Sequence, residues 1–115
     1  MTDWDFDRQR SETTDTVQDL KDNQNVPVGS DTRVTLDIFL MPGEAANEEA
    51  LERALTMFGY AGDPDETEDK EPVYVVTIPD VALTADDIWL HEERVTKIAL
   101  ERGYSPDGWG FFEPD

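Results

Sequence analysis

Few residues of this 115-residue chain belong to types that perform chemistry on their own. His91 is the single histidine, and there is no cysteine. Neither a thiolate zinc site nor a disulfide is available to it. His91 stands one helical turn from Ile88 and Val95. No nucleophile elbow accompanies it, so it reads as a partly buried structural histidine and not as a catalytic base. Carboxylates are plentiful. Glu92-Glu93-Arg94 and Asp86-Asp87 supply pairs. Such a pair becomes an acid/base site only when burial raises one of the two pKa values.

Asp63, Asp65 and Thr67 stand at alternate positions, as ligands do in a calcium loop. Glu68 takes the place of the turn glycine, however, and Tyr74 the place of the bidentate carboxylate. The run reads instead as a solvated loop, or as a charged surface for an arginine-rich partner. The only close pair of glycines, Gly108-x-Gly110, has no helix after it to cradle a phosphate. No cofactor and no metal are expected.

Nine Lys and Arg against 28 Asp and Glu give a net charge of −19. Phosphate backbones are held by Lys and Arg clusters, so direct contact with nucleic acid is disfavoured, as is an anionic membrane. A protein partner with a basic segment suits this charge; so does a salt-rich cytosol, in which case the acidity says nothing about partners. No apolar run approaches the ~20 residues of a membrane span. Met1-Thr-Asp-Trp-Asp lacks the basic and apolar regions of a signal peptide, and a cytoplasmic protein is expected.

The elements that must position these groups follow from periodicity. The polar start carries a helix around Ser11–Lys21 with a thin apolar stripe, Trp4, Phe6, Val17 and Leu20. A loop over Asn23–Asp31 follows, and residues 1–31 are read as an N-terminal helix and loop that belong to the same domain as the α+β unit of 32–115, since about 25 residues cannot make a core. Strict alternation of Val34, Leu36, Ile38 and Leu40 predicts a strand over Thr32–Leu40. Glu44–Phe58 has helical spacing of Ala50, Leu51, Ala54 and Leu55, and Gly59 suits its C′ position. The acidic Asp63–Glu71 fits only an edge strand. Val73–Ile78 is apolar on both faces, which predicts a central strand covered on both sides. Thr84 and Asp87 resemble a capping box, with Leu83 and Ile88 as a staple, at the head of a helix that ends before Gly103.

Ser105-Pro-Asp-Gly reads as a turn leading into a short aromatic strand. In that strand Trp109 and Phe111 share one face, and Gly108, Gly110 and Phe112 the other. The order β-α-β-β-α-β is the split βαβ plan, an α+β ferredoxin-like sandwich with a four-stranded antiparallel sheet. Its sheet order, 4-1-3-2, puts the two apolar strands in the middle and the acidic and aromatic ones at the edges. The N-terminal helix is additional, and Phe39 and Tyr74 mark surfaces it could cover.

The ending Tyr104-Ser-Pro-Asp-Gly-Trp-Gly-Phe-Phe-Glu113 resembles the signature of the ribonuclease E inhibitor family. The strong acidity, the polar N-terminal helix and the segment Ala82-Leu-Thr-Ala-Asp86 are similar to that family as well. The likeness runs loosely along most of the chain, and Asp107-Gly108-Trp109-Gly110 is its specific part. It implies a ferredoxin-like fold and a non-catalytic protein that binds an endoribonuclease and inhibits or retargets it. The surfaces it brings forward are Asp107, Gly108, Trp109 and Gly110, joined by the acidic Asp65, Glu66, Glu68 and Asp69. Some members continue in a long acidic tail where this chain ends at Asp115, so contacts made by such a tail do not carry over. The alternative is an acidic small-ligand-binding or enzymatic domain on the same scaffold. A cleft holding Asp37 or His91 with a strongly shifted pKa would favour it.

Overall fold

A computed structural model describes residues 4–112. Glu113, at the end of the family-like motif, lies outside the described residues, as do Met1–Asp3, where the signal-peptide reading begins. The elements run α1 (Phe6–Asn23), β1 (Gly29–Pro42), α2 (Glu48–Met57), β2 (Ala61–Glu66), β3 (Pro72–Leu83), α3 (Ala85–Leu100) and β4 (Tyr104–Phe112). The strands form one antiparallel sheet in the order β2-β3-β1-β4. This is the ferredoxin-like α+β plan with a helix added at the N-terminus.

Alternation builds the core. Val34, Leu36, Ile38 and Leu40 of β1 are at most 1% exposed and share one cluster with Leu51, Leu55, Val95 and Ile98 of α2 and α3. Tyr74, Val76 and Ile78 of β3 face the same cluster. The opposite face of the sheet differs from expectation. Val73 is buried there, but Val75 is only half-buried and Thr77 is exposed. The apolar residues on both faces of β3 therefore reflect its central place and not a second covering layer.

Several boundaries move, each for a local reason. Helix α2 starts at Glu48, not Glu44, because Asn47 caps it by accepting from the Ala50 N–H. The residues before it are taken up by the turn after α3: the Gly43 N–H donates to the Gly103 carbonyl at 2.8 Å and the Asn47 N–H to the Arg102 carbonyl at 3.0 Å. Strand β1 begins at Gly29, inside what reads as a loop, because Gly29 pairs with Leu83. Of the acidic run, only residues up to Glu66 form a strand. Thr67–Glu71 make a turn closed by the Thr67 N–H donating to the Glu71 carbonyl, with Lys70 at φ 67°. At the head of α3 one half of the box is present. Thr84 accepts from the Asp87 N–H, while its own N–H donates to the Ala82 carbonyl.

Helix α1 corrects a further expectation. It covers neither Phe39 nor Tyr74. Tyr74 is buried on the core face, with its hydroxyl 3.3 Å from Glu52 of α2. Helix α1 packs instead beside α3 and reaches Trp109 of β4. It buries Val17 and Leu20 together with a polar residue, Thr13.

Candidate functional site

The turn into the last strand comes at Gly103, where φ is 83°. Ser105-Pro-Asp-Gly is thus not a turn before β4 but part of it. Leu40 pairs with Pro106 and Ile38 with Trp109, so Asp107 and Gly108 together stand opposite Phe39. This is a β-bulge, and Gly108 at φ 99° takes the backbone conformation it requires. Bulges re-aim side chains. Past this one, Trp109 and Phe111 face the helices and pack on the core, while Gly110 and Phe112 pair with Asp37 and Thr35 on the open face, as alternation predicts; Gly108, expected on that open face, departs from it because the bulge breaks the alternation there.

The bulge forms one wall of a groove of about 530 Å³. The segment entering α1, Trp4 and Asp5, and the first turns of the helix, to Thr16, line it as well, and the buried Glu92 of α3 forms the floor. Asp5 caps α1 by accepting from the Arg8 N–H, which holds the helix start beside the groove. A chain of polar contacts crosses the floor. The Trp109 indole N–H donates to Thr13 Oγ1 at 3.3 Å, and the Thr13 hydroxyl donates to Glu92 Oε1. Gln9 Nε2 donates to Thr96 Oγ1 at 3.0 Å and to Glu92 Oε2 at 3.4 Å. The Trp4 indole N–H donates to Gln9 Oε1 at 2.8 Å. Two indoles are thereby tied to one carboxyl group.

Glu92 is 2% exposed. Burial pushes its carboxyl up to about 7; the bonds from Thr13 and Gln9 oppose the rise and Glu12 adds to it. Glu92 thus changes charge near neutral pH. Among the carboxylate pairs of α3, it is Glu92 that meets the condition for acid/base behaviour. Periodicity carries no mark of this, because Glu92 resembles every other acid of a solvated helix face. The one available signal is its place one turn from both Ile88 and Val95.

His91 is half-buried on a different face. Its Nδ1 lies 3.0 Å from the Tyr60 hydroxyl, and the two rings meet edge-on. Burial, with Arg94 nearby, holds the imidazole below its ordinary value. Asp37 lies on the open sheet face, where it accepts from the Thr77 hydroxyl at 2.9 Å. Neither residue lines the groove. Among the described residues, no cluster of three or more His, Asp or Glu is placed to hold a metal ion.

Asp107, Gly108 and Trp109 line the groove, while Gly110 points away from it toward the Phe39 ring. Asp65, Glu66, Glu68 and Asp69 are exposed at the β2–β3 turn. Strands β2 and β4 are the two edges of the sheet, three strand spacings or about 14 Å apart. The fold therefore separates the acidic turn from the bulge. No family model matches this chain, and no curated protein matches it.

Proposed function

We propose that this protein is a non-catalytic regulator that binds an endoribonuclease through a basic segment of that enzyme and so inhibits or retargets RNA cleavage. The observation that carries the reading is the groove itself. The residues of the family-like motif, Asp107, Gly108 and Trp109, form one wall of a concave surface rimmed by carboxylates. The net charge of −19 supports attraction of a basic segment over a distance, and the half-buried Trp109 is the kind of anchor that holds a partner at short range. The acidic turn at Asp65–Asp69 acts by long-range steering, since it lies at the far edge from the groove. The cytosol, where RNA turnover takes place, suits this role. The test is an RNA cleavage assay with an endoribonuclease from the protein's own host. Added protein should slow cleavage or change the cut sites, and Asp107→Asn should weaken the effect. Unchanged cleavage at saturating protein would refute the reading.

A second reading rests on Glu92. A buried carboxyl that titrates near pH 7 at the floor of a groove is what a general acid or base requires. Under that reading the groove holds a small ligand, and turnover is abolished by Glu92→Gln.

A further inference from the structure

We infer that the groove between Trp4 and Trp109 receives the guanidinium group of an arginine side chain on the protein partner. The inference rests on the proposed binding role and names the chemical group that the groove selects. Three features converge on it. Trp4 and Trp109 both line the groove, one from the segment before α1 and one from β4, both half-buried, and indole is the side chain most attractive to a cation above its face. Four carboxyl groups line the space, those of Asp5, Glu12, Glu92 and Asp107. Among the described residues that line it, the one cation, Arg8, is largely exposed and pairs with Glu12 at 3.1 Å along its own helix. The groove thus has an excess of negative charge and aromatic walls. A planar guanidinium stacks on indole and bonds carboxylates at its edge, which a lysine ammonium does not do in the same geometry.

Glu92 makes the inference testable by pH. Gln9, Glu12 and Thr13 of α1, Thr96 of α3 and Trp109 of β4 surround it, and Asp5, Arg8 and Asp107 line the same groove. None of these lends it a close positive charge. An arriving guanidinium would, favouring the ionised carboxylate, so binding releases a proton. By linkage, affinity then rises with pH across the range in which Glu92 titrates, by at most about tenfold per pH unit.

The experiment is a titration of the full chain with the peptide Gly-Arg-Gly amide, followed by the indole N–H resonances of the three tryptophans. Trp89 is buried outside the groove and serves as the internal reference. The resonances of Trp4 and Trp109 should shift with the arginyl peptide and not with its neutral citrulline counterpart. Binding should tighten from pH 6 to pH 8, and Glu92→Gln should flatten that dependence. Asp107→Asn, at an exposed position, should weaken binding about two- to fivefold, and Arg8→Gln, which removes a competing cation, should strengthen it. Equal shifts with citrulline, no shifts, or shifts confined to Trp89 would overturn the inference. Spermidine binding as strongly as the peptide would replace the protein side chain by a free polyamine and overturn it too. If the peptide binds here while cleavage by the endoribonuclease is unaffected, the regulatory reading fails and the site stands. If the protein regulates the enzyme and Asp107→Asn changes nothing, the regulatory reading stands and the site fails.

Discussion

The indole N–H of Trp109 donates to the hydroxyl of Thr13, 96 residues earlier in the chain. That bond joins the last strand to the first helix, and the Thr13 hydroxyl in turn donates a hydrogen bond to the buried Glu92. The N-terminal helix is thus tied through Thr13 to the Glu92 carboxyl in the groove and to Trp109 of β4. Thr13→Val keeps the shape but leaves the Trp109 N–H and one Glu92 oxygen without their partner. Urea denaturation should show a loss on the order of 1–3 kcal/mol. A change near zero would mean that the network does not hold α1 in place.

Glu92→Gln should stabilise the protein above neutral pH. The native carboxyl titrates near 7, above its unfolded value of 4.5. Below pH 4.5 it is protonated in both states and costs nothing. As pH rises from there to 7, the unfolded chain loses its proton first, and stability falls. Above pH 7 the full penalty of a buried charge is present. The glutamine variant should then gain on the order of 3 kcal/mol at pH 8 and lose that advantage by pH 4. Denaturant titrations of both proteins at the two pH values check this. An advantage that does not depend on pH would contradict the assignment.

The parts of the fold readable from the chain are those in which one local period decides burial. The alternation in Val34–Leu40 specifies a half-buried strand, the polarity of the Asp63 segment sends it to one edge, and the split βαβ order leaves the Trp109 strand at the other. The site was less legible, because its key contacts join distant segments. Thr13 is a polar residue on a weakly amphipathic helix, and its burial makes sense only once Glu92 is known to face it, 79 residues on. Ser105-Pro-Asp-Gly has the composition of a turn. It becomes a bulge because Gly103 has already turned the chain and β1 pairs on either side of it.

Two glycines with nearly equal φ should respond differently to alanine. Gly59 (φ 82°) has open space where a Cβ would stand, so Gly59→Ala costs only backbone strain, about 1–2 kcal/mol. At Gly103 (φ 83°) a Cβ would come within 2.4 Å of the Ala45 backbone. That clash displaces the segment leading into α2, so Gly103→Ala should cost clearly more. Thermal unfolding of both variants decides it, and equal melting temperatures would contradict the packing of Gly103 against Ala45.

Leu36 and Leu55 are at most 1% exposed in the shared core. Truncating either to Ala should cost about 2–5 kcal/mol in urea denaturation. A cost below 1 kcal/mol at Leu36 would overturn the register of the central strand.

The proposed regulation requires association with an endoribonuclease of the protein's own host. The most direct measurement is the binding rate and affinity at low and at moderate salt. Tests should include the wild-type chain and a variant with Asp65, Glu66, Glu68 and Asp69 replaced by their amides. The wild-type protein should bind, with association slowing as salt rises. The variant should associate more slowly with a flatter salt dependence, while its dissociation rate stays close to wild type. No binding by the wild-type protein at either salt concentration would refute the proposed regulation.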